Sequence, residues 1–235
     1  VDKSSNIYML IYAAVITIIV AVSLSFLSES LKDIQHKNEQ AAMKVEILHA
    51  IGLDTVANPE QFFDQKIKGI VVNNKGEVLK DKLAIDVNVK AENKKANDDD
   101  RLLPLYIYSS PEGSKIYVLP MYGSGLWDDI WGYMAIQGDF NTVFGTSFGH
   151  KGETPGLGGE ITTDWFQKSF AGKQIMDQGN FVSVEVKKGK LDNPDHQVQS
   201  ITAATMTSNG VSSMIKDDVA DYVPYFDKLK NQNNE

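Results

Sequence analysis

The sequence predicts an α+β protein: an N-terminal transmembrane helix followed by one domain with an antiparallel sheet and flanking helices. Three observations carry this expectation. An apolar run without a charged residue lies near the N-terminus. Five short β-branched and aromatic runs follow, separated by turn-forming residues. A segment with apolar residues at helical spacing then comes near the C-terminus.

From Ser4 through Ser28 the chain contains no Asp, Glu, Lys or Arg. As a helix, Ile7–Leu27 would span about 30 Å, the thickness of a bilayer's hydrocarbon core. Tyr8 and Tyr12 suit its interfacial belt. The competing reading is a cleaved signal peptide. Such a peptide has a shorter apolar core, about 7–15 residues, and no clear small-x-small cleavage site follows Leu27. Residues 1–30 are therefore expected to form a retained anchor. Its orientation is not set by charge, because Lys3 precedes the span while Glu29, Lys32 and Asp33 follow it.

Residues 31–57 are expected to be an amphipathic connector helix, with Leu31, Ile34, Ala41, Ala42, Val45, Leu48 and Ile51 at helical spacing. Gly52 ends it and Asn58-Pro59 breaks the chain. The α+β domain then fills residues 58–235. Ile70-Val71-Val72, a turn at Asn73–Gly76 and Glu77-Val78-Leu79 read as strand, turn and strand. The charged stretch from Lys80 to Arg101 includes Asp98-Asp99-Asp100, which lacks the alternate spacing and glycine of a calcium loop and reads as a solvated loop. Strands are expected at Leu105–Tyr108, Ile116–Met121, Ile130–Ile136, Val143–Phe148 and Phe181–Val186. Thr163 or Asp164 is placed to cap a short helix reaching Phe170. The final helix is expected from about Thr207 toward Ala220, disturbed by Pro224, with a frayed polar tail after it.

Composition narrows the chemistry. The 235 residues include no Cys and only four His, so disulfides, thiolate metal sites, iron–sulfur ligation and cysteine nucleophiles are excluded. A net charge of −8 argues against nucleic acid as a partner. Oxygen and nitrogen groups, or a borrowed cofactor, must supply any reaction.

Two stretches have the texture of a site. Gly149–Glu160 holds five glycines, a proline and four ionisable groups. Glycines let backbone amides approach a flat or anionic ligand, yet the stretch matches neither a P-loop nor a dinucleotide fingerprint, and a plain surface turn is the alternative. Ser200–Val211 carries hydroxyls at Ser200, Thr202, Thr205, Thr207 and Ser208 just before the final helix. It reads either as an N-cap or as an anion site, where hydroxyls and helix-start amides favour a phosphate.

Taken with the anchor and Gly123-Ser124-Gly125-Leu126-Trp127, these stretches resemble the C subunits of sodium-translocating NADH:quinone oxidoreductases. These belong to the FMN-binding-domain family, which also includes the G subunits of Rnf complexes. The resemblance covers nearly the whole chain. It implies an FMN carried covalently, one per chain, through a phosphoester to a threonine in a Ser/Thr-Gly-Ala-Thr pattern. Here the pattern is Thr202-Ala203-Ala204-Thr205, so Thr205 is the implied attachment residue and Thr207 the nearby alternative. Thr202, Ala204, Thr207 and Ser208 would surround the phosphate. The segment Glu153-Thr154-Pro155-Gly156-Leu157-Gly158 would face the isoalloxazine through Glu153, Thr154, Leu157 and Gly158. Trp127 is either a further contact or a core residue. Ala203 replaces the family's glycine, which matters only where φ is positive, and Gln199 stands where an Asp is usual.

The implied function is electron relay within a respiratory sodium-pumping complex. The domain would face the periplasm from a single-pass anchor in the bacterial inner membrane, with a flavin transferase as partner during maturation. No residue is assigned as acid, base or nucleophile for substrate turnover, and no metal site is expected. An Rnf-type G subunit and a tethered assembly module without flavin are the alternatives.

Overall fold

The computed structural model describes residues 5–95 and 101–233. Lys3 and the Asp98-Asp99-Asp100 run lie outside the described residues. The chain divides into two compact units, Val1–Met43 and Lys44–Glu235.

The first unit consists of helix α1, Asn6–Ala50, as far as Met43. Ile7, Leu10, Ile19, Leu24 and Phe26 are all exposed. Two of its hydroxyls bond back to the helix's own carbonyls. Thr17 donates to the Ala13 carbonyl and Ser30 to that of Phe26, each at 2.8 Å. By length and composition this helix is able to cross a membrane.

The second unit begins with the last turns of α1 and holds the sheet. Helix α2 (Pro59–Lys66) leads into β1 (Ile67–Val72), which turns at Asn73–Gly76 into β2 (Val78–Leu79). The turn is held by Asn73 Oδ1, which accepts from the Lys75 and Glu77 amides. After the short helix α3 (Val89–Glu92) come β3 (Leu103–Ser109), β4 (Lys115–Ser124), β5 (Asp129–Gln137) and β6 (Val143–His150). They form one six-stranded sheet in the order β2-β1-β3-β4-β5-β6, antiparallel throughout.

Alternation along the strands divides the core. Tyr117, Leu119 and Met121 of β4 enter the main cluster beneath the C-terminal helix α5 (Thr205–Asn233), which contributes Val211, Met214, Ile215, Val219, Tyr222 and Phe226. Tyr117, Phe140 and Phe226 pack there with ring centroids 5.1–5.8 Å apart. On the opposite face the end of α1 is seated. Glu46 accepts a 3.0 Å hydrogen bond from Trp131 Nε1, and Gly149 makes room for that indole. Burial raises the Glu46 carboxyl above its ordinary range, against this indole bond.

Helix α4 (Asp164–Lys168), the hairpin β7 (Met176–Asp177) and β8 (Asn180–Phe181), and the pair β9 (Glu185–Lys187) and β10 (Gln197–Gln199) complete the unit. Two expectations are corrected here. The run Phe181–Val186 is not one strand: Ser183 adopts φ +69°, which breaks it between β8 and β9, and β9 then pairs in parallel with β10. The final helix does not weaken at Pro224 but runs through it to Asn233. Tyr222, Tyr225 and Phe226 are buried around the proline, and the Tyr222 hydroxyl donates to the Pro104 carbonyl at 2.8 Å, so packing offsets the lost backbone bond.

Candidate functional site

One end of the sheet brings together three segments that are distant in sequence. They are the β4–β5 turn, the glycine-rich loop after β6, and the first turn of α5. A single carboxylate joins them. Glu153 is 4% exposed; its Oε1 accepts from the Trp127 amide at 2.9 Å and its Oε2 from the Thr207 hydroxyl at 2.6 Å. Burial raises its pKa, but the bonds from Thr207 and the amides of Trp127, Asp128 and Leu126 outweigh it, and the carboxyl is held below its ordinary value. Its own amide donates to His150 Nδ1 at 3.2 Å, which accounts for that histidine structurally.

Glycines make this closure possible. A Cβ on Gly125 would collide with the Glu153 carboxylate, and one on Gly158 would collide with both the carboxylate and Thr207 Oγ1. A Cβ on Gly210 would overlap the Ser124 carbonyl oxygen, so α5 reaches the β4–β5 turn only because that position is bare.

The chain enters α5 through a tight turn in which the Ala204 amide donates to the Ile201 carbonyl. The helix ladder starts with the Ser208 amide on the Ala204 carbonyl, so the amides of Thr205, Met206 and Thr207 have no partner within the helix. Ser208 is buried, and its hydroxyl accepts from the Ile201 amide at 3.3 Å. The first turn carries no acidic side chain. The groups at this helix start able to meet an anion are therefore amides and hydroxyls on a favourable dipole end, with the Glu153 carboxylate already bonded to Thr207.

The residues singled out from the sequence occupy different positions around this point. Thr205 is half-buried on the first turn, Thr202 and Thr154 are exposed, and Ala204 is buried. Thr207 is 1% exposed and committed to Glu153. Glu153 and Gly158 are turned inward, whereas Leu157, Trp127 and the adjoining Leu126 and Met206 are exposed. Sequence patterns do not single out Leu126 or Met206, since nothing in their local context separates an exposed apolar residue from a buried one. Gln199 lies exposed at the end of β10.

Ala203 has φ +60°, the left-handed region where glycine is unstrained. The methyl it carries in place of a glycine is thus set against the backbone. Replacing Ala203 with glycine is expected to stabilise the domain by about 1 kcal/mol, raising the melting temperature by about 2–4 °C in calorimetry. A lower melting temperature would contradict this account of the turn.

The fold and site define a class. Residues 125–220 match the family model described as FMN-binding domain, which takes in the β4–β5 turn, the glycine-rich loop and the start of α5. Over 229 residues the chain is 32% identical to the C subunit of the Na(+)-translocating NADH-quinone reductase of Haemophilus ducreyi, covering 91% of this chain and 88% of that one. It is also 32% identical over 248 residues to the corresponding protein of Neisseria meningitidis serogroup A, covering 97% and 96%. The crystal structure of the C subunit from Parabacteroides distasonis superposes with a TM-score of 0.76 at 32% identity, over 83% of this chain and 96% of that one. The chain belongs to the family of C subunits of the Na(+)-translocating NADH-quinone reductase, an oxidoreductase complex.

Proposed function

We propose that this chain is a membrane-anchored flavoprotein subunit of a sodium-translocating NADH:quinone reductase, carrying one FMN as a phosphoester on Thr205. The observation that carries the attachment site is the contrast between two hydroxyls on one helical turn. Thr207 is 1% exposed and donates to Glu153, while Thr205 is only half-buried beside amides with no helical partner. The residues fit the group. Thr205 offers the ester oxygen, the amides of Thr205 to Thr207 solvate phosphate charge, and exposed Thr202 adds a hydroxyl. Ala204 and Ser208 hold the turn beneath. Leu157 and Trp127 offer apolar surface and Thr154 a hydroxyl to a planar ring, with Glu153 and Gly158 supporting them from inside.

When bound, FMN supplies the redox chemistry, accepting electrons from one centre of the complex and passing them to the next. The protein's part is to hold, orient and partly shield it. The family resemblance supports a domain on the periplasmic face of the bacterial inner membrane, with α1 as its single span. It also supports the other subunits of the complex as partners and a flavin transferase as the maturing enzyme.

Co-expression of the full chain with a flavin transferase, followed by denaturing electrophoresis under ultraviolet light and peptide mapping, tests this reading. A fluorescent band is expected, with the flavin on the peptide containing Thr205. Thr205→Val is expected to abolish the fluorescence and Thr207→Val to retain it. A wild-type band without fluorescence, at the mass of the bare polypeptide, would refute the flavoprotein reading. The reverse pattern in the two variants would move the ester to Thr207.

A further inference from the structure

Glu153 has a role that its sequence context conceals. Its side chain is removed from solvent, its charge is met by neutral donors, and those donors lie on both the β4–β5 turn and α5. Each exposed apolar side chain near the attachment turn is one residue or less from a group packed on that carboxylate. Trp127 gives it an amide and Leu126 precedes Trp127; Leu157 precedes Gly158; Met206 precedes Thr207. Exposure is 50% for Leu126, 70% for Trp127, 38% for Leu157 and 61% for Met206. These side chains have little packing of their own, so their placement is inherited from the anchored backbone next to them.

We propose that Glu153 is a positioning residue: its buried carboxylate locks the Leu126–Trp127 turn and the Leu157–Gly158 segment against the first turn of α5, and thereby immobilises a flavin attached there. This rests on the flavoprotein reading above. The carboxylate makes no contact with the cofactor in this role and acts through Thr207 and the backbone of the turn. Donors on both oxygens stabilise this carboxylate in its ionised form. A glutamine at this position keeps the length but offers one acceptor oxygen in place of two, so the Trp127 amide and the Thr207 hydroxyl no longer each find an acceptor of their own.

The test uses the full chain co-expressed with a flavin transferase, comparing wild type, Glu153→Gln and Thr207→Val. The ester on Thr205 is expected to persist in both variants by intact mass. Most of the flavin's visible circular dichroism is expected to be lost in Glu153→Gln, with fluorescence anisotropy reduced; Thr207→Val, which removes one bond, is expected to fall between it and wild type. A merely structural residue would lower the melting temperature without changing the flavin spectrum of the molecules still folded. Wild-type dichroism and anisotropy in a folded Glu153→Gln protein overturn the proposal and leave the function standing. A wild-type chain without ester-linked flavin overturns both. Should Glu153→Gln fail to fold, the wild type still decides by hydroxyl-proton exchange in nuclear magnetic resonance. The Thr207 hydroxyl proton is expected to exchange slowly, and exchange as fast as that of exposed Thr202 overturns the proposal.

Discussion

Replacing Gly210 with alanine is expected to destabilise the domain by about 3 kcal/mol and to lower its melting temperature by about 6–12 °C. The sign is the reverse of helix propensity, which favours alanine over glycine by about 1 kcal/mol inside an exposed helix. Gly210 is in the second turn of α5, and a Cβ there would overlap the Ser124 carbonyl oxygen while touching Ile130 Cδ1 at 3.5 Å. Neither side can yield cheaply. Val211 and Met214 hold the helix in the core, and the β4–β5 turn is tied to Glu153 through the Trp127 amide. Gly123 shows the same tight seam, since a Cβ there would lie 2.9 Å from Met214 Cβ. Calorimetry or urea unfolding of the variant reads the effect directly. A stabilised Gly210→Ala protein would mean that α5 and the turn are not in contact as described.

Stability is expected to fall as pH rises through about 7, by an amount on the order of 2–4 kcal/mol attributable to Asp218. Asp218 is buried, and burial pushes its carboxyl up to about 7 against hydrogen bonds from the Tyr122 amide and Asn93 and the charge of Arg101. The Tyr122 amide donates at 2.6 Å and Asn93 Nδ2 at 2.7 Å. Arg101 stands 3.7 Å away and pairs at 2.8 Å with Asp221, whose own charge raises Asp218 further. Between the ordinary carboxylate value and about 7, the folded state binds a proton that the unfolded chain has released. The stabilisation is therefore complete below the ordinary value and lost as pH rises through the folded one. Glu46, also raised by burial, adds the same sign. Glu153, held low, acts oppositely at more acidic pH, its contribution being lost as pH falls. Urea unfolding at about pH 5 and about pH 8 is expected to show the loss, and Asp218→Asn to flatten it. Equal pH slopes in wild type and variant would remove Asp218 as its source.

Much of the architecture was legible because it is local. Ile116–Met121 is a continuous apolar run because both faces of β4 are buried, and such a short β-branched and aromatic run between turn-forming residues marks a strand. Asn73–Gly76 advertises its turn, and Val211, Met214, Ile215 and Val219 advertise the buried face of α5. Pro224 misled because local propensity opposes a helix there, while burial of Tyr222, Tyr225 and Phe226 favours one. Ser183 misled in the other direction: its positive φ is set by the hairpin and by β9 pairing with β10, which no run of β-branched residues encodes.

At the site, the sequence alone determined which groups were available: no thiol, two hydroxyl-bearing threonines at one helix start, and a glycine-rich loop with one central glutamate. The burial of Thr207, the inward turn of Glu153 and the left-handed backbone at Ala203 were decided only in the tertiary structure. The Glu153–Thr207 bond joins residues 54 apart in the chain. A hydroxyl's availability depends on what packs over it, and a methyl's cost depends on a backbone angle set by its surroundings. Residue types and spacing carry neither quantity; both arise when the β4–β5 turn, the loop and α5 close on one carboxylate.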